Sequence, residues 1–299
     1  MCQPVLQISK QPPGLWVYMS RINQAIDEVR FIRRHPAADK TTFRRFVAWQ
    51  FRSLLNRPAI VPLEQFGLRF YCPADRRGAA KLVYTFREHC EAELPVLPNF
   101  IHPGENVIDI GAHFGIYTVA MASLVGPAGR VLAIEPSART FAILRRNVTL
   151  NGLQNVDTIQ AAASDQEGLV TFFIADDPSR SSLSAESGTP EKVRAVRLDS
   201  LDVPRPVRFI KIDVEGAEPL SLRGAEGILR ADRPIIQFES TPGAAHAYGC
   251  ESDALWRLLV AEFGYEIYQG TNLKPVSALP AGVANLYAIH PEGKEHKSR

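Results

Sequence analysis

From Asn106 onward the chain alternates short, continuously apolar runs with helical segments: NVIDI, Ile116 to Leu124, VLAIE, Ala138 to Leu150 and VDTIQAA, with RFIKID and PIIQFE further on. Strands covered on both faces need continuous hydrophobicity, and parallel strands need crossover helices, so the alternation predicts an α/β domain with a doubly wound, mostly parallel sheet. Near the end Ser252 is placed to cap a helix that stops at Gly264, and YEIYQ and NLYAIH read as final strands. With 299 residues, 45% of them hydrophobic, the chain has enough material for a sizeable core.

The region before this alternation reads differently. Leu15, Ile22, Ile26, Val29 and Ile32 recur at helical spacing, as do Phe43, Phe46, Val47, Phe51 and Leu54, with Pro36 between the two series. A strand at Phe66 to Tyr71 and a helix near Ala79 to Cys90 follow, before Pro95 and Pro98 break the pattern. Residues 1–93 therefore form an expected helical N-terminal extension and 94–299 the α/β domain. The extension carries the one basic region, from Arg21 to Arg57, and is expected to pack over the crevice as a substrate cap. A solvated basic face is the plainer reading. The segment Ala175 to Lys192, rich in Ser, Asp, Pro and Gly, lies between LVTFFI and VRAVRL and reads as a substrate-facing lid or a plain surface loop.

Charge and cysteine content narrow the function. Lys plus Arg number 34 against 32 for Asp plus Glu, so the chain as a whole has no polycationic field of the kind that drives nucleic-acid binding. Cys2, Cys72, Cys90 and Cys250 lie far apart with no CxxC pair, which suggests neither a zinc knuckle nor a disulfide framework. No run reaches the roughly 18 apolar residues of a membrane span, and the start lacks a signal-peptide layout, so a cytoplasmic location is expected. A homodimer is left open.

The stretch Val107-Ile108-Asp109-Ile110-Gly111-Ala112-His113-Phe114-Gly115 is a buried strand running into a glycine turn and then a helix. Glycines let the backbone approach a ligand, and a helix N-terminus offers unpaired N–H groups. Asp109 ends this strand, Glu135 ends the next, and Asp165 follows the third. Ligands of open α/β sheets bind outside the carboxyl ends of the strands, so the three acids should converge on one crevice. Glu135 stands at the offset of a ribose-binding acid. An acid beside the turn would repel a pyrophosphate, whereas a cofactor with an ammonium and a sulfonium suits it. Taken singly, Asp109 or Asp165 could be no more than a cap.

DIGAHFG, IEP at Ile134 to Pro136, ASD at Ala163 to Asp165 and FIKIDVEGAE at Phe209 to Glu218 together resemble the FkbM family of methyltransferases. The resemblance runs from Glu93 to Glu239. It implies a class I, Rossmann-like methyltransferase fold with a seven-stranded sheet, S-adenosylmethionine as donor, and O-methylation of a sugar or secondary metabolite. It places Asp109, Gly111 and Gly115 around the methionine part of the cofactor and Glu135 at the ribose. Ser164 and Asp165 fall near the adenine, and Ala112, His113, Phe114, Pro136, Ala163 and Asp213 complete the cofactor set. Many relatives carry Asn where this chain has His113.

An aliphatic hydroxyl is a poor nucleophile without a base. Asp213 and Glu215 leave the end of RFIKID and Glu239 leaves the end of PIIQFE, and one of the three is expected to be that base. Glu215 is equally placed to cap a helix start. Lys211, on an apolar strand, needs an ion pair with one of these acids, and His246 is a second base candidate. No spacing specifies a metal site. Two rival readings remain: a nucleic-acid methyltransferase, which should show an NPPY or DPPY segment, and an NAD-dependent oxidoreductase, which should show GxGxxG. The chain has neither.

Overall fold

The computed structural model describes residues 30–74, 78–174, 189–241, 244–248, 250–251 and 253–293. Most of the first apolar series, Leu15 to Val29, falls outside them, as do Ser252 and most of the Ala175 to Lys192 segment. Helix α1 (Lys40–Leu54) starts at a capping box in which Asp39 accepts from the Thr42 amide. Its buried face is Thr42, Phe46, Trp49 and Ser53, while Phe43, Val47, Phe51 and Leu54 are exposed. The apolar series read from the sequence is thus mostly the outer face. The helix is turned by Trp49, which is fully buried and lies 4.9 Å from the Tyr84 ring, because an indole has more apolar surface to remove from water than a phenyl ring.

Strands β1 (Ala59–Leu63) and β2 (Leu68–Cys72) form an antiparallel hairpin turned at Gly67, φ +65°. Only the second of these strands was expected. Helix α2 (Ala79–Phe86) follows and tightens into a 3-10 turn over Arg87–Cys90.

The α/β domain has β3 (Asn106–Ile110), α3 (Ile116–Val125), β4 (Arg130–Ile134), α4 (Ala138–Leu150), β5 (Val156–Ile159), β6 (Ala162–Ala163), β7 (Gly168–Ile174), β8 (Thr189–Val196) and β9 (Val207–Ile212). Then come α5 (Glu218–Arg223), α6 (Glu226–Asp232), β10 (Ile235–Ser240), a helical segment over Ala254–Glu262, β11 (Glu266–Gln269), β12 (Lys274–Pro275) and β13 (Ala284–Ile289). The main sheet runs β12-β11-β13-β10-β9-β3-β4-β5, parallel from β10 to β5 and antiparallel from β10 to β12. It is a doubly wound α/β arrangement, mixed rather than wholly parallel. The two-residue β12 adds an eighth strand at one edge. VDTIQAA divides, so that β6 joins a separate small sheet of order β6-β8-β7.

Alternate residues of the central strands feed two cores. Ile108, Ile110, Ile210 and Ile212 pack with Leu222, Ile228 and Leu258 on one face. Val107, Val131 and Phe209 pack on the other with α3 and with Trp49, Val61, Phe70 and Val83, so the hairpin, α1 and α2 share the core of the main sheet. Polar ties add to this: the Tyr71 amide donates to Asn147 Oδ1 at 2.7 Å, and Asn147 Nδ2 donates to the Phe114 carbonyl at 2.9 Å. No helix among the described residues is long and apolar enough to cross a membrane.

Candidate active site

The chain runs outward through β3, β4 and β5, then returns to β9 on the other side of β3, and at such a reversal the loops part and leave a crevice at the strand ends. A cleft of about 1050 Å³ opens there. The glycine turn forms its floor. Gly111 has φ +77°, and its amide and that of Ala112 donate to the Ile134 carbonyl at 2.9 and 3.0 Å, stitching the turn to β4. A Cβ on Gly111 would lie 1.9 Å from the Asp213 carbonyl oxygen, so the close approach of the two strand ends requires glycine. Gly115, φ +86°, starts α3 against Leu144.

Three acids and one lysine face each other beyond the turn. Asp109 is fully buried: Oδ2 accepts from the Thr118 hydroxyl at 2.5 Å, and Oδ1 finds no partner among the described residues. Burial pushes its carboxyl up from the ordinary value, with Lys211 and Thr118 opposing the shift. Lys211 Nζ pairs with Asp213 at 3.0 Å, the ion pair its apolar strand required, and lies 4.9 Å from the centre of the Tyr117 ring. Burial favours the neutral amine, but Asp213, Asp109 and Glu91 together outweigh it and hold Lys211 protonated. The third acid is Glu91, which the sequence reading missed. It follows the 3-10 turn after α2, and nothing in the spacing of CEAELP distinguishes it from a surface acid.

Glu135 is 5% exposed and binds the turn from the other side, accepting from the His113 amide at 2.9 Å, the Ser137 amide at 2.9 Å and the Thr140 hydroxyl at 2.6 Å. Burial raises its proton affinity against these three donors.

Of the expected cofactor residues, Asp109, Gly111, Ala112, His113, Phe114, Glu135, Pro136, Ala163 and Asp213 lie on the cleft wall. Gly115, Ser164 and Asp165 are not among the residues that line it; the Ser164 amide donates to the Val196 carbonyl, and the Asp165 carbonyl accepts from Arg197. Of the expected base candidates, Asp213 and Glu215 line the cleft. Glu239 lines a neighbouring chamber of about 500 Å³ together with Glu91, Lys211, Asp213, Gln237 and Asn285. His246 is exposed on the turn Ala244–Tyr248 and borders neither space. No group of three metal-ligating side chains forms among the described residues.

Glu215, φ +54°, begins the turn into α5, and Glu218 Oε1 holds that turn by accepting from the Val214 and Gly216 amides at 3.0 and 3.3 Å. Burial pushes the Glu218 carboxyl up from 4.5 to about 7. The folded chain therefore keeps a proton that the unfolded chain loses, and stability falls as pH rises from about 4.5 to about 7. Glu218→Gln is expected to remove up to ~3 kcal/mol of that pH dependence, read from urea unfolding on either side of the window. An unchanged slope would show that Glu218 titrates alike in both states.

Residues 109–267 match a family model described as the Methyltransferase FkbM domain. Methyltransferase 1 of Beauveria bassiana is 28% identical over 145 residues, which cover 40% of this chain and 58% of that protein. Methyltransferase sdnD of Sordaria araneosa is 27% identical over 172 residues, covering 54% of this chain and 61% of that protein. The ribosomal protein L11 methyltransferase of Geobacillus thermodenitrificans is 42% identical over 66 residues, 22% of this chain and 20% of its own. The chain thus spans between a fifth and about three fifths of the length of these curated relatives. The crystal structure of methyltransferase FkbM from Methylobacillus flagellatus aligns with a TM-score of 0.41 at 16% identity, covering 93% of this chain and 71% of that one. The stretch matched by the family model is just over half of the chain and runs from Asp109 on β3 into β11. The chain belongs to the FkbM methyltransferase family.

Proposed function

We propose that this methyltransferase takes the methyl group of S-adenosylmethionine and places it on a hydroxyl of a sugar or secondary metabolite. One observation carries the cofactor reading: a fully buried Asp109 with an unsatisfied oxygen sits where three acids face a single lysine. Buried negative charge in excess is costly unless a cation joins it. S-adenosylmethionine brings a sulfonium and an ammonium, whereas the pyrophosphate of a dinucleotide would bring more negative charge to the same place. Glu135 is placed for the ribose hydroxyls, with a lone pair of Oε2 left beside the His113 amide.

When bound, S-adenosylmethionine supplies a methyl carbon already activated by its positive sulfur. The protein then has to bring an acceptor oxygen into line and receive its proton. Asp213 is the base this reading favours, since of the three candidates it alone borders both the cleft and the neighbouring chamber. Its bond to Lys211 holds the carboxylate in one place. Asp213 would receive the proton that the acceptor hydroxyl gives up on methylation. Phe70, Ala79 and Val83 on the cleft wall support a role for the N-terminal region in covering the site.

Calorimetry tests the cofactor. S-adenosylmethionine should bind the unaltered chain, and Asp109→Ala and Glu135→Ala should each weaken it on the order of a hundredfold. Binding of NADH with no response to S-adenosylmethionine would overturn the reading. Hydroxylated compounds incubated with methyl-labelled cofactor should yield methyl ethers, and label found only on nitrogen or on RNA would remove the O-methylation half of the proposal.

A further inference from the structure

We propose that Glu91 binds the ammonium of the cofactor's methionine tail, so that the chain ahead of the family-matched residues is a working part of the cofactor site. The proposal rests on the S-adenosylmethionine reading above.

The sheet order decides which end of the cleft receives which part of the ligand. Glu135 follows β4 and Ala161 to Ala163 follow β5, so the adenosine lies over β4 and β5. Asp109 on β3 and Lys211 and Asp213 at β9 then mark the opposite end, where the tail must lie. Glu91 reaches that end from outside the sheet. It interacts with Tyr117, whose hydroxyl accepts from Gln237 Nε2 at 3.1 Å, and it lies in the field of Lys211 and Asp213. Gln237 thereby fixes the Tyr117 hydroxyl on the Glu91 side of the cleft.

The charges are already assigned for the other groups. Asp213 gives Oδ2 to Lys211 at 3.0 Å, and Asp109 uses one oxygen on Thr118. Glu91 has a neutral hydroxyl for a partner, and burial raises its proton affinity while Lys211 and Tyr117 only partly oppose it. An alkylammonium has three N–H donors and needs acceptors on more than one side. Glu91 and the unsatisfied Asp109 Oδ1 are two acceptors at this end of the cleft that can serve it.

The test compares three ligands on the full chain by calorimetry: S-adenosylmethionine, S-adenosylhomocysteine and 5′-methylthioadenosine. The first two share the ammonium, only the first has the sulfonium, and the third keeps the adenosine and sulfur without the tail. Glu91→Gln is expected to weaken the first two alike, by about tenfold to a hundredfold, and to leave methylthioadenosine unchanged. Glu91→Asp, which keeps the charge, should recover part of the loss. Equal weakening of all three ligands would make Glu91 a support of the pocket wall. Weakening of S-adenosylmethionine alone would place Glu91 at the sulfonium, and no weakening would leave it without a part in cofactor binding. Each of these outcomes overturns the proposal. If the unaltered chain binds none of the three, it is the cofactor reading that fails.

Discussion

Gly111→Ala is expected to abolish cofactor binding and to destabilise the fold by about 2–5 kcal/mol, the sum of left-handed backbone strain and forced displacement of packed atoms. The added methyl would lie 1.9 Å from the Asp213 carbonyl oxygen and 2.9 Å from its carbon. Those are main-chain atoms, so a rotamer change cannot relieve the contact. The Asp213 amide donates to the Ile110 carbonyl at 3.0 Å, and the Gly111 amide donates to Ile134 at 2.9 Å. Parting β3 from β9 to make room would break one or both bonds and move Asp109 relative to Lys211. Urea unfolding gives the stability change, and calorimetry with S-adenosylmethionine gives the loss of binding. A variant of unaltered stability that still binds would mean that the turn relaxes far more easily than its hydrogen bonds allow. Gly152→Ala is a control, since its φ of +63° imposes similar strain while no atom lies within 4 Å of the added carbon.

Asp213→Asn should lower turnover by on the order of a hundredfold or more, once an acceptor has been found, with cofactor affinity nearly kept. The amide preserves the shape of the side chain and a carbonyl oxygen for Lys211 Nζ, but cannot take up a proton. The two other candidates differ in place. Glu215 borders only the cleft, and Glu239, bonded by the Thr241 hydroxyl at 2.8 Å, borders only the neighbouring chamber. Measuring Asp213→Asn, Glu215→Gln and Glu239→Gln side by side therefore reports which space receives the acceptor hydroxyl. Near-normal turnover in all three would move the base elsewhere, with His113 on the cleft wall next to be tested. Activity lost to a chelator and restored by Mg²⁺ would instead make these acids metal ligands.

Much of this was legible in the sequence because the relevant physics is local. Continuous apolar runs marked β3, β4, β9 and β10, since a strand buried on both faces has no polar side to show. The glycine turn was visible because a backbone at positive φ calls for Gly. Acids at strand ends identified Asp109, Glu135 and Asp213, as chain direction alone sends those ends to one edge of the sheet.

Tertiary structure decided what depends on distant neighbours. The apolar series of α1 did not reveal its buried face, because Trp49 and its contact with Tyr84 set the rotation of the helix. Ser164 and Asp165 sat in a recognisable motif, and the course of the chain there follows from β6 pairing with β8 in a separate sheet. Glu91 had no motif at all. It becomes part of the site only because α2 packs on the sheet and ends beside Lys211, and a carboxylate's function there is set by charges more than a hundred residues away in the chain. The sequence by itself determined the central parallel strands, the glycine turn and the acids they carry to the edge, since these follow from the local chain. Packing decided which further side chains meet them there, and at what proton affinity.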